Sequence, residues 1–142
     1  MSHIELHPLS DDERDAAYDA VRASSSAWPR GVFDDRDSFE TWVRRSDVTV
    51  YTIAQGDRVA GIGAAMDVDG DREILLAVAP DADADAPTEA LRQLTVREAE
   101  RPLYACVSAD DRPAHEMLAR IGFVEHERDG ADVVYVLPPT LE

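Results

Sequence analysis

Apolar positions in this chain recur either at every second residue or at every third and fourth, and each change of period marks a new element. Residues 3–7 alternate and predict a short first strand. Ser10 and Glu13 stand at capping-box spacing, the serine accepting from the helix start and the glutamate reaching back. Ala17, Ala20, Val21 and Ser24 follow at helical spacing until Trp28-Pro29-Arg30-Gly31 breaks the pattern. A second helix begins near Asp37 and carries Phe39, Trp42 and Val43 on one face. Residues 48–54 are β-branched and aromatic, and Gln55-Gly56-Asp57 turns them into a second strand over 58–66. Asp69-Gly70 turns again into 72–78, a near-continuous apolar run that predicts a central strand. These three strands form an antiparallel meander.

The second half reads as clearly. A helix opens near Pro87 with Leu91, Leu94 and Thr95 on its inner face. Residues 103–108 predict a strand, and Asp111 caps a helix that places Ala114, Met117, Leu118 and Ile121 at i, i+3, i+4 and i+7. Gly122 ends that helix as a left-handed residue, with Phe123 packing back. Two final strands flank Asp129-Gly130, the last over 133–137. The predicted order is β-α-α-β-β-β-α-β-α-β-β, an α/β (α+β) chain.

Composition narrows the class. At 142 residues, 44% of them hydrophobic, the chain suits one domain over 1–142 with a single core. No apolar run approaches the length of a membrane span, and the first residues lack a signal-peptide pattern, so a cytoplasmic protein is expected. The formal charge is -16, and all fourteen basic residues are Arg. A field of that sign opposes nucleic acid and anionic membrane, and neither is expected as a partner. Acidic residues spread along the whole chain suit a protein hydrated in a salty interior, and blocks such as the one at 81–85 read as solvated surface. One cysteine, Cys106, excludes an internal disulfide and a multi-cysteine zinc site.

Local signatures add to the element order. Val78-Ala79-Pro80 closes a strand ahead of the acidic loop; Val107, Asp111, Ala114 and Met117 lead into Ile121-Gly122-Phe123-Val124. Singly, each has a plain reading as a strand end or a helix stop. In this order and spacing they resemble the GNAT superfamily of acyl-coenzyme A-dependent N-acyltransferases, over essentially the whole chain. The resemblance implies a mixed, mainly antiparallel, splayed sheet flanked by helices. It further implies acetyl-coenzyme A as donor and an amine on an unknown small molecule or protein as acceptor.

The resemblance also assigns residues. In the family, the loop before the third helix reads Arg or Gln, two residues, Gly, one residue, then Gly or Ala. Glycines there let main-chain amides close on a diphosphate at a helix start. Here those positions hold Asp83, Ala86 and Thr88, with Asp81 and Asp85 adding charge and Pro87 lacking an N–H. Cofactor contacts therefore fall to Val78, Ala86, Thr88 and Asp111, on an eroded motif. Each carboxylate about 5 Å from a phosphate costs roughly 0.8 kcal/mol in water, and molar salt screens most of that. The position where relatives often hold a tyrosine to protonate the departing thiolate is Leu118. Asp111 occupies an asparagine position, and its plainer reading is a helix cap. Glu73, on the strand leading to the loop, is the candidate general base, directly or through water; its plainer reading is an exposed strand-end carboxylate.

Other residues carry weaker chemistry. Cys106 and Tyr104 share a strand face, but no histidine stands beside the thiol in sequence to activate it. Tyr104 and Tyr135 are candidate proton donors and, more plainly, packing residues. His3 and His7 lack metal-spaced partners, so no metal is expected, and His115 falls on the outer side of its helix. Gly61-Ile-Gly63 lacks the third glycine of a dinucleotide fingerprint. Trp28 and Phe33 lie where the resemblance puts the acceptor, and loop aromatics folding onto the core explain them equally well. Three functions fit: an N-acetyltransferase, an inactive GNAT-fold module binding a ligand or protein, and a subunit whose last strand pairs across a homodimer.

Overall fold

The computed structural model describes residues 3–23 and 35–139. Ser24, Trp28 and Phe33 lie outside them. The elements are β1 (Ile4–Pro8), a 3-10 turn (Asp11–Glu13), α1 (Arg14–Ala23), α2 (Arg36–Val43), β2 (Val48–Gln55), β3 (Arg58–Val68), β4 (Asp71–Val78), α3 (Ala86–Arg97), β5 (Leu103–Ser108), α4 (Arg112–Ile121), β6 (Val124–Asp129) and β7 (Asp132–Leu137). This is the expected order. The seven strands form one sheet in the order β1-β2-β3-β4-β5-β7-β6, with β4 at its centre. All pairs are antiparallel except β4 with β5.

Helices cover the two faces unequally. On one face α1 packs over β3 and β4, burying Ala17, Tyr18, Ala20 and Val21. The helix is set at its start by Glu13, which accepts from the Ser10 amide at 3.3 Å, the Ser10 hydroxyl at 3.0 Å and the fully buried Thr52 hydroxyl at 3.0 Å. On the other face lie α3 and α4, whose Leu91, Leu94, Ala114 and Leu118 are buried. Asp111 caps α4 by accepting from the Ala114 amide at 3.3 Å, and Gly122 ends it at φ 119° while Phe123 packs into the core. Gly61 has a steric reason: a Cβ there would stand 2.0 Å from the Ala77 carbonyl oxygen.

Two expectations fail. The last strand is no edge, because β7 pairs with β5 on one side and β6 on the other. Its hydrogen-bonding groups are spent, so it cannot pair across a homodimer. Nor is His115 on an outer surface. It is half-buried against β7, with its Nδ1 on the Tyr135 hydroxyl and its Nε2 2.9 Å from the Ser108 carbonyl. A carbonyl only accepts, so Nε2 carries the hydrogen and the Tyr135 hydroxyl donates to Nδ1 in the neutral ring.

Candidate active site

The sheet opens where the one parallel pair among the described strands lets go. β4 and β5 are in register for three residues, Arg72 with Leu103, Glu73 with Tyr104 and Ile74 with Ala105. Beyond them the strands diverge, since β4 stays paired with β3 up to Val78 and β5 stays paired with β7 up to Ser108. Each arm of the opening is thus fixed by its outer neighbour. Residues 75–78 keep unpaired main-chain groups on the β5 side, able to bond an extended amide-bearing chain as a missing strand would. Ligand crevices in such sheets form where parallel strands part at their carboxyl ends, and α3 and α4 are the elements that follow the ends of β4 and β5.

Glu73 stands at the closed end of the opening. Its register partners Met66 on β3 and Tyr104 on β5 point to the same face, and all three are half-buried. Burial pushes its carboxyl above the usual carboxylate range. No hydrogen bond or ion pair from the described residues compensates it. Arg72, next in sequence, turns to the opposite face, where it meets Glu98 and Asp67, each at 3.1 Å. Glu73 is thus half-buried rather than an exposed strand end, and no described side chain pairs with it.

The loop at the mouth, residues 79–85, is less open than the resemblance requires. Amides in it and at the start of α3 are in part spent internally. Ala82 donates to the Ala79 carbonyl at 3.1 Å, Asp83 to the Gln55 side chain at 2.9 Å, and Ala86 to the Asp83 carbonyl at 3.0 Å. Ala86, assigned a cofactor contact by the resemblance, also buries its methyl completely in the core. Pro87 has no amide to give. Ala84 and Thr88 keep main-chain amides that engage no described group. Asp81 is held by Arg58, which offsets its charge. Val78, half-buried, ends β4 at the mouth opposite Gly61, and Asp111 is turned into helix capping.

The remaining candidates separate. Tyr104 and Cys106 lie half-buried on the face of Glu73, and the His126 ring meets the Tyr104 ring edge-on at 5.7 Å. Tyr135, on the other face, is buried and its hydroxyl held by His115. His7 binds Glu13 at 2.7 Å. Among the described residues no three His, Cys, Asp or Glu side chains gather where they could hold a metal. No described helix is long and apolar enough to cross a membrane. Sequence reasoning missed Gln55 as the group that occupies the loop and His126 as a neighbour of Tyr104. Neither pairing has a local signal, since the partners are 28 and 22 positions apart.

Comparison with known proteins bears on the fold. No family model matches the chain, and no curated protein matches it in sequence. Solved structures do. The ribosomal-protein-S18-alanine N-acetyltransferase of Escherichia coli superposes with a TM-score of 0.72 at 16% identity, covering 99% of this chain and 96% of that one. The PaiA N-acetyltransferase of Thermoplasma acidophilum, in complex with coenzyme A, gives 0.69 at 13% identity, covering 96% and 99%. The Campylobacter jejuni N-acetyltransferase PseH, in complex with acetyl coenzyme A, gives 0.70 at 13% identity, covering 97% and 100%. The chain has the GNAT fold along its length; at these identities the likeness fixes the fold alone.

Proposed function

We propose that this GNAT-fold chain transfers an acetyl group from acetyl-coenzyme A to an amine, with Glu73 as general base. The observation that carries the reading is the half-buried Glu73 carboxylate, paired with no described side chain, at the closed end of the β4–β5 opening. An alkylammonium beside it gives up one proton to Glu73. The free amine nitrogen then bonds to the thioester carbonyl carbon, the carbon–sulfur bond breaks, and the second nitrogen proton goes to the departing thiolate. The opening at residues 75–78 fits the amide-bearing arm of the donor, and the Ala84 and Thr88 amides are among the donors left for its diphosphate.

The test is a titration of acetyl-coenzyme A in molar KCl, followed by amide chemical shifts. Saturable shifts across residues 79–90 are expected, and their absence at millimolar ligand ends the reading. Gln55→Ala releases the Asp83 amide and is expected to tighten binding about threefold to tenfold, the value of one added hydrogen bond. Glu73→Gln is expected to lower kcat at least about 100-fold while acetyl-coenzyme A still binds.

A second reading has its own observation. Three amides of the loop at the mouth are already satisfied within the protein, and two of its carboxylates, Asp83 and Asp85, face solvent. A GNAT-fold module that binds a ligand or protein without transfer accounts for that loop. It predicts no acetyl-coenzyme A shifts in the wild type or in Gln55→Ala.

A further inference from the structure

The turn between β2 and β3 holds the loop at the mouth from outside. Gln55 ends β2, Arg58 begins β3, and the two stand in register across Gly56 and Asp57. The backbone here is fixed on its other flank too: Gln55 is in register with Ile4, and the Gly56 amide donates to the His3 carbonyl at 3.2 Å. From this base two side chains reach the loop. Gln55 accepts from the Asp83 amide at 2.9 Å. Arg58 donates to the Asp81 carboxylate and, at 3.4 Å, to the Asp81 carbonyl. The sheet itself brings the second pair level, because β3 and β4 are in register up to Gly61 with Val78 and the Ala79 amide still donates to the Ala60 carbonyl at 2.8 Å. Both contacts occupy groups that an anion would use, a main-chain amide and a guanidinium. The rest of the loop repels an anion, since Asp81, Asp83 and Asp85 are exposed.

We propose that this turn is a latch on the loop and that Arg58 changes partner when it opens. A ligand with two linked phosphates accepts from the Asp83 amide in place of Gln55 and from the Arg58 guanidinium in place of Asp81. This rests on the transferase reading, whose donor carries such a diphosphate, and adds the step that frees the loop to receive it. Neither hold is strong. The Arg58 and Asp81 side chains are 41% and 74% exposed, and pairs so placed contribute little in water. The Gln55 contact is one neutral hydrogen bond. The latch therefore lowers affinity by the share of molecules in which the loop is held, without closing the site. It also gives Arg58 a role that a loop staple would not have. If Arg58 only tied the loop down, removing either member of the pair would have the same consequence. If it passes to the ligand, removing Asp81 frees it, whereas removing Arg58 deletes the ligand's own partner.

The experiment titrates inorganic diphosphate into the whole chain in about 0.1 M KCl, where charge contacts are little screened, and follows the amide shifts of residues 81–83. Asp81→Asn is expected to tighten binding about threefold or more, and Arg58→Gln to weaken it about tenfold. Asp57→Asn removes the same charge from the turn without touching the pair, and is expected to change affinity about twofold or less. The decisive variant is the double one. With Arg58→Gln in place there is nothing for Asp81 to release, so adding Asp81→Asn should do no more than Asp57→Asn does. Equal directions for the two single substitutions, simple additivity in the double variant, or no saturable shift at 81–83 in either the wild type or Gln55→Ala would overturn the latch. Diphosphate bound with the expected pattern, while acetyl-coenzyme A leaves residues 79–90 unmoved, would sink the transferase reading and leave the exchange at Arg58. Acetyl-coenzyme A binding that ignores both Arg58→Gln and Asp81→Asn would sink the latch alone.

Discussion

A carboxylate drawn partly out of water holds its proton more tightly than a free one, and Glu73 does so with no described side chain to offset the loss of hydration. The cost appears in stability. Because the folded group sits above its ordinary range, the native state binds more protons than the unfolded chain between the two values. Its contribution is complete in acid, below the ordinary carboxylate range, and is lost as pH rises through the shifted value. Glu73→Gln is therefore expected to melt higher than the wild type at neutral pH, with the difference vanishing near pH 4, while transfer activity falls. A variant that melts lower at pH 7 would show that Glu73 has a stabilising partner. Glu13 behaves oppositely: burial alone would raise its carboxyl, but hydrogen bonds from His7, Ser10 and Thr52 outweigh that and lower it. Its stabilisation is present at neutral pH and is lost as pH falls through the lowered value. Glu13→Ala also strands the buried Thr52 hydroxyl, an expected cost of about 1–3 kcal/mol by urea unfolding.

Elements are joined here by side chains that act in place of backbone. The outer edge of β1 would be an open ladder, but α3 closes it. Gln93 accepts from the Leu6 amide at 3.1 Å and donates to the Ile4 carbonyl at 2.7 Å, and Arg97 donates to the Leu6 carbonyl at 2.6 Å. One glutamine thus imitates a strand residue. Gln93→Ala is expected to cost about 1–2 kcal/mol and to lower hydrogen-exchange protection at Leu6, with β2 unchanged. The opposite edge, β6, is guarded by composition: Val-Glu-His-Glu-Arg-Asp is charged and irregular in register. A dimer of this chain, if one forms, is expected to use a sheet face rather than either edge.

For the whole molecule the governing quantity is charge. Thirty acidic residues against fourteen basic ones repel one another in the compact state, and the ion pairs present, such as Arg14–Glu40, Arg36–Glu40 and Arg45–Asp47, relieve only part of that. Raising KCl from about 0.1 M to about 1 M shortens the Debye length from about 10 Å to about 3 Å. The melting temperature is expected to rise over that range by several degrees; a flat or falling profile would mean that the pairs, not the repulsion, dominate.

The sequence by itself determined the eleven main elements, their order and their inward faces, because periodicity, caps and turns are local and each carries its own signature. Leu91, Leu94, Ala114 and Leu118 are buried where their spacing puts them, and Asp111 and Gly122 bound α4 as their chemistry dictates. It also placed Glu73 on the strand that leads to the mouth. Only the tertiary structure decided what that residue faces, since its neighbours Met66 and Tyr104 arrive from other strands. Strand order is likewise non-local: β7 inserts between β5 and β6, which removes the expected dimer edge and buries Tyr135 against His115. The loop shows the same division. Its lost glycines are legible residue by residue, but the consumption of the Asp83 amide by Gln55 depends on a contact 28 positions away that no local pattern encodes.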